Sequence, residues 1–203
     1  MVGTEPWSGL ISAWFDDTIV NPDSVPGRMP WWFGPDAERD TALAGQFSGL
    51  LEECAAGKHY EWLEHPEGRL AVIIALDQLP RNLFRGTPRA FANDAYTAAL
   101  CLAAALTGQD RELAPIQRAF LYMPLQHFED LAGQEAGVAL YEQLANDTPE
   151  WPQFRQGFLP FARQHRDIIA RFGRFPHRNR TLGRSNTPDE EEYLQAGAPT
   201  FGQ

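Results

Sequence analysis

A short basic segment stands out as a possible binding site. The stretch RFGRFPHRNRTLGR, residues 171–184, holds five arginines and a histidine and no carboxylate, although the chain of 203 residues has a net charge of −10. Glycine and proline oppose a regular helix here, so we expect a shaped loop. Guanidinium groups grip carboxylate or phosphate through paired hydrogen bonds. The segment therefore predicts a small-anion site, with these ligand-binding candidates: Arg174, Arg178, Asn179 and Arg184.

The same arginines have a purely structural alternative, in which they satisfy helix carbonyls and nearby carboxylates and so lock the fold. Asp77 is the clearest such partner, because it shares an apolar helix face with Leu70, Ile73 and Ile74. A buried carboxylate needs a partner, and Arg81 lies four residues on. Asp77 either pairs with an arginine or orients a catalytic group. Further candidates nearby are Gln78 as an orienting residue, and Arg81, Asn82 and Arg85 as ligand-binding residues.

Three histidines could act as an acid or a base. The stretch LQHFED supplies His127, and the basic segment supplies His177; with Asp77 these are the catalytic candidates. His165 lies in an apolar helical stripe, which is typical of a satisfied core histidine. His165 is therefore a structural or orienting candidate. Glu129 and Asp130, which follow His127 closely in the sequence, are structural or orienting candidates as well. Without a HExxH or CxxC companion the sequence predicts no metal, and it predicts no cofactor.

Composition narrows the function classes. The acidic balance argues against general binding to nucleic acid. The start, MVGTEPWSGL, lacks the features of a secretion signal, and the longest aliphatic run, residues 70–76, is too short to span a membrane. We therefore expect a cytoplasmic protein. Cys54 and Cys101 lie in apolar helical patterns, which favours buried free thiols over a disulfide.

Helical spacing recurs along the chain and strand patterns are nearly absent. The sequence predicts about eight helices in a single all-α domain over residues 1–203, with no pattern that fixes residues 1–4 and 197–203. The prolines suggest a loop at 21–35, a helix end or kink at Pro80, and another helix end at Pro124. In the loop, Trp31, Trp32 and Phe33 should fill a core or groove. Thr187 and Glu190 form a capping box before a last short helix.

Four stretches resemble the bacterial domain-of-unknown-function family 924 over about residues 30–195. They are WWFG at 31–34, LDQLPRNLFRGTPRAFANDA at 76–95, FLYMPLQHFEDLAGQE at 120–135 and HRDIIARFGRFPHRNRTLGRSNTPDE at 165–190. The resemblance implies antiparallel helix hairpins stacked as a short superhelix similar to tetratricopeptide repeats. It implies no activity. These stretches contain the polar candidates above, which we expect to converge on one concave side.

Two functions of different class follow. The first is an Arg- and His-lined pocket for a small phosphate- or carboxylate-bearing molecule, with catalysis left open. The alternative is a helical module whose groove binds a protein partner or an acidic peptide. An open groove lined by the aromatic residues 31–33 would favour the module, whereas arginines fully paired with carboxylates would count against the pocket. The oligomeric state is left open.

Overall fold

Helix-forming patterns along the chain become α-helices in the computed structural model, which describes residues 5–202. No β-strand occurs in that range. The helices are α1 (Ser8–Phe15), α2 (Val25–Phe33), α3 (Ala37–Ala55), α4 (Pro66–Ile73), α5 (Leu79–Leu83), α6 (Asp94–Thr107), α7 (Pro115–His127), α8 (Leu131–Asp147), α9 (Leu159–Phe172) and α10 (Pro188–Gln195). The all-α prediction is therefore confirmed for the described residues.

Side-chain caps fix several helix starts. The Asp36 carboxylate accepts a hydrogen bond from the Arg39 backbone N–H at 2.9 Å and starts α3. Asp130 does the same for α8 through the Gly133 N–H at 2.8 Å. At α10 the predicted capping box is confirmed, because the Thr187 and Glu190 side chains each accept a hydrogen bond from the other's backbone N–H. These local signals satisfy donors that a helix start otherwise leaves unpaired.

The predicted loop at 21–35 is wrong, because residues Val25–Phe33 form α2. Proline is tolerated in the first turn of a helix, where Pro26 lies, but Pro30 lies inside α2. Tertiary packing outweighs this cost, since Trp32 is buried and its indole N–H donates to the Trp14 carbonyl at 2.8 Å. The predicted helix end at Pro124 is also wrong, because α7 continues to His127.

Two π-turns adapt long helices to proline. One spans Ile74–Gln78 between α4 and α5, and the other spans Phe154–Phe158 before α9. Each is followed two residues later by a proline, Pro80 or Pro160, which has no N–H for the helical ladder. The predicted kink at Pro80 therefore takes the form of a widened turn. π-turns of this kind are frequent at functional sites, and the first one carries Asp77 and Gln78.

The core unites most of the helices. The largest buried apolar cluster includes Trp14, Phe15, Phe120 and Tyr141, and a smaller cluster joins Ile168, Ile169 and Phe175. Neighbouring helices pack in chain order, α6 on α7, α7 on α8 and α8 on α9, while α3 packs on the π-turn and α5. Both cysteines are buried free thiols, as predicted. The stacking of helix hairpins as a superhelix and the organisation as a single domain remain predictions.

Within residues 5–202, no helix is both long and apolar enough to cross a membrane.

Candidate functional site

Asp77 lies at the centre of a buried polar cluster. Its carboxylate is fully buried and accepts hydrogen bonds from Nδ1 of His127 at 2.8 Å and from the Gln78 amide at 2.5 Å. The guanidinium of Arg81 lies 3.1 Å from the same carboxylate. Burial alone would raise the pKa of Asp77, but Arg81 and His127 outweigh it and lower that pKa to about 2. Asp77 is therefore ionised at neutral pH.

The cluster extends through a second carboxylate, Asp94, at the start of α6. Arg81 donates to one oxygen of Asp94 at 2.8 Å, and Arg178 donates to the other at 2.9 Å. Arg178 also donates to the His127 carbonyl at 3.0 Å, and its guanidinium lies 4.4 Å from the ring centres of both Phe91 and Phe175. Two arginines thus face two carboxylates, so this buried group carries no excess positive charge.

Two further arginines of the basic segment, Arg184 and Arg174, are paired with carboxylates as well. Arg184 forms two hydrogen bonds with Glu129, at 2.6 and 2.9 Å, and the Phe175 N–H donates to the same carboxylate at 2.7 Å. Arg174 forms two with Glu190, at 2.6 and 2.7 Å. Both carboxyl groups have a lowered pKa, and for Glu190 the hydrogen bond from Arg174 is the largest cause. These contacts tie the loop to α10 and to the end of α7.

Five of the fourteen predicted site residues form the buried cluster, and the others lie outside it. Gln78, Arg81, His127 and Arg178 surround Asp77 directly or through Asp94. Asn179 contacts Asn186 and Glu190 through its side-chain amide. The outliers are Asp130, which caps α8; Arg85, which donates to the Gly202 carbonyl; and Asn82, whose amide nitrogen has no partner among residues 5–202.

A cavity of about 490 Å³ opens beside this cluster. Its walls are largely apolar, and among its lining residues the polar side chains are Gln126, His127 and His165, with no arginine. The apolar side chains that line it include Met29, Phe33, Met123, Phe158, Phe161 and Phe201. The polar cluster is thus the support behind one wall of the cavity, and His127 is the residue common to both.

His165 forms a second polar point in the cavity wall. Its Nδ1 lies 2.8 Å from the Phe161 carbonyl, and its ring stacks on Phe201 with 3.8 Å between ring centres. The two imidazole rings of His127 and His165 are 6.2 Å apart. His177 does not line this cavity, although its ring lies 5.6 Å from Phe201.

Hydrogen-bond partners fix the proton on both cavity histidines. A carbonyl or ionised carboxylate can only accept, so Nδ1 of each ring carries the hydrogen and Nε2 keeps its lone pair. Neither Nε2 has a protein partner in the part of the chain that the structure describes. Burial, followed by the charge of Arg81, lowers the pKa of His127. Burial, followed by His127, lowers that of His165 to about 3. Both rings are neutral at pH 7.

The arrangement can therefore support proton transfer. A neutral imidazole whose Nδ1–H is held by a buried carboxylate is an oriented general base. The residues that line the cavity include no serine, threonine, cysteine or lysine that could act as a nucleophile. Any proton that His127 accepts must then come from a bound molecule or from water.

Sequence reasoning missed Asp94, Met123 and Phe201 as parts of the site. Asp94 lies in one of the four quoted stretches, and a pairing of its carboxylate with an arginine was open to the same argument as for Asp77. Phe33 was expected in a core or groove and is 44% exposed at the cavity, while Trp32 is buried in the core. No sequence signal indicated Phe201. Residues 1–4 and 203 lie outside the described residues.

Comparison with known proteins shows a matching family model and a solved structure with a similar fold. The family model described as "Bacterial protein of unknown function (DUF924)" matches residues 10–198. A solved structure of a protein of unknown function from Agrobacterium tumefaciens is 35% identical, with a TM-score of 0.76 over 92% of this chain and 99% of that one. No curated protein matches the chain.

Proposed function

Because this chain belongs to the DUF924 family of bacterial proteins of unknown function, we propose its function from its own geometry: it binds a small, largely apolar molecule in the cavity beside His127. The observation that carries this proposal is the meeting of an apolar cavity with an imidazole that a buried carboxylate orients. Small-molecule sites combine apolar walls with few, well-placed polar groups. A volume of about 490 Å³ admits a molecule of one or two rings.

Asp77 is the positioning residue in this proposal, and His127 is the residue that meets the ligand. Arg81 and Gln78 hold the Asp77 carboxylate on its other sides, so the His127 ring has one orientation. If the bound molecule reacts, His127 accepts a proton from it through Nε2. Perturbed carboxylates at a cavity occur frequently at functional sites, and Asp77 combines a lowered pKa with a hydrogen bond to a cavity imidazole.

The sequence suits a direct test, because two of its three methionines, Met29 and Met123, line the cavity. We would label the methionine methyl groups with ¹³C, assign the signals with Met29→Leu and Met123→Leu, and titrate a panel of one- and two-ring aromatic probes. The proposal expects saturable shifts of both signals. A panel that leaves both signals unmoved at the solubility limit of each probe would contradict it.

A small anion is a second candidate, favoured by one observation. The Nε atom of Arg178 is buried and has no hydrogen-bond partner among residues 5–202, and Arg178 lines a smaller cavity of about 270 Å³ together with Asp94 and Glu129. Burial, the largest cause, lowers the pKa of Arg178 to about 10, while Asp94 and Glu129 act to raise it. An anion would have to compete there with both carboxylates.

Phosphate and acetate titrations followed by thermal melting would test this second candidate. A site on Arg178 predicts a rise in melting temperature that Arg178→Gln abolishes. Equal shifts in the wild type and the variant would exclude it.

A further inference from the structure

We propose that the molecule bound in the cavity presents a neutral hydroxyl group, an alcohol or a phenol, to the Nε2 atoms of His127 and His165. This inference rests on the proposed function and names its ligand class. Both Nε2 atoms are hydrogen-bond acceptors, because Nδ1 of each ring is committed as a donor to Asp77 or to the Phe161 carbonyl. The polar end of the site therefore favours a ligand group that donates a hydrogen bond.

A carboxylate or phosphate fits this polar end poorly. A carboxylate or a fully ionised phosphate ester has no hydrogen to donate, and any anion would face two nitrogen lone pairs in a cavity without an arginine among its lining residues. A carbonyl group likewise has no hydrogen to donate to either Nε2 atom. Leaving two buried acceptors unpaired on ligand binding costs free energy comparable to a lost hydrogen bond each.

A cation is also disfavoured. The positive charges of Arg81 and Arg178 act on His127 and His165 respectively and oppose added positive charge at each ring. Transfer of an ammonium ion from water into a largely apolar cavity adds a desolvation cost. Asp77 offsets this only in part, because its carboxylate is already occupied by Arg81, Gln78 and His127.

The two rings place the hydroxyl. The ring centres are 6.2 Å apart, and in this proposal the hydroxyl lies between the rings, donating to one Nε2 directly and to the other in an alternative rotamer. The apolar remainder then points toward Met29, Phe33 and Met123. Because His127 is the ring held by a carboxylate, it is the one that would draw the hydroxyl proton.

The test is a matched series on one phenyl body: toluene, benzaldehyde, benzyl alcohol, benzylamine and benzoate. Dissociation constants come from the ¹³C-methyl signals of Met29 and Met123 at pH 7.5. One net hydrogen bond of about 0.5–1.5 kcal/mol predicts that benzyl alcohol binds about 2- to 12-fold more tightly than toluene or benzaldehyde. Benzylamine and benzoate should bind more weakly than toluene.

His165→Phe supplies the matched control, because phenylalanine keeps the ring that stacks on Phe201 and removes one acceptor. The variant should bind toluene as before and lose part of the preference for benzyl alcohol.

The outcomes separate the two proposals. If no member of the series moves the methionine signals, cavity binding itself is wrong. If toluene, benzaldehyde, benzylamine or benzoate binds as tightly as benzyl alcohol, the hydroxyl assignment is wrong while cavity binding stands. A preference that His165→Phe leaves unchanged would exclude a part for His165.

Discussion

Stability should fall in mild acid because His165 is buried in its neutral form. Its side chain is enclosed by α9, Phe175 and Phe201, and the residue is 6% exposed. Burial, together with the nearby His127, Arg178 and His177, lowers its pKa from 6.5 to about 3. As the pH falls, His165 is therefore protonated near pH 6.5 in the unfolded chain but only near pH 3 in the folded chain. The contribution of His165 is complete above pH 6.5 and is lost as the pH falls.

The magnitude follows from the width of that window. Each pH unit within it removes about 1.4 kcal/mol from the free energy of unfolding, so the two units between pH 6.5 and pH 4.5 remove roughly 3 kcal/mol through His165 alone. His177, whose pKa burial lowers to about 4, adds a further loss of the same sign. The sum is a large share of the stability of a domain of this size.

Urea unfolding followed by tryptophan fluorescence at pH 7.5 and pH 4.5 measures this loss. The wild type is compared with His165→Phe, which keeps a ring of similar shape but cannot titrate. The acid-induced loss should be smaller in the variant by roughly 3 kcal/mol. The two curves should stay parallel between pH 7.5 and pH 8.5, which serves as the internal control. An equal acid-induced loss in both proteins would refute the assignment of a buried neutral His165.

Three further predictions concern the same architecture. Asp77→Asn should lower the free energy of unfolding by about 3–5 kcal/mol at pH 7, because it removes one carboxylate from a buried charge group; a loss below about 1 kcal/mol in urea unfolding would contradict this. Gly137→Ala should lower the free energy of unfolding by about 1–3 kcal/mol, because its new Cβ would lie 2.9 Å from the Leu125 Cβ. Gly45→Ala, which has open space around its new Cβ, should leave that free energy unchanged or raise it. Equal melting temperatures for the two glycine variants would refute the packing argument. Phe201→Ala should expose the stacked imidazole and move its pKa upward toward the ordinary value, and an NMR titration that shows no change would be evidence against the stacking.

The parts of the fold that sequence predicts are those with local causes. The Thr187–Glu190 capping box and the apolar spacing of α9 act within a few residues, and both appear as expected. The loop prediction at 21–35 failed because a contact from Trp32 to the distant Trp14 carbonyl outweighs the prolines in between. Local propensity cannot register a contact of that range.

The contacts of the candidate site also fall into local ones, which the sequence predicts, and long-range ones, which it does not. The pairing of Asp77 with Arg81 spans one helical turn and is visible in the sequence. The contact of Asp77 with His127 spans 50 residues, and that of Asp94 with Arg178 spans 84, so helix packing decides them. The basic segment drew attention as an anion site, but its carboxylate partners lie in other segments and become apparent only in three dimensions.

The state of the two cavity imidazoles tests the central claim most directly. We would record long-range ¹H–¹⁵N correlations of the histidine rings at pH 7.5, with and without benzyl alcohol. We predict that His127 and His165 are neutral with the proton on Nδ1, and that benzyl alcohol moves the Nε2 signal of each. An imidazolium or an Nε2–H tautomer at either residue, or Nε2 signals that benzyl alcohol leaves unchanged, would contradict a hydroxyl-binding cavity beside His127.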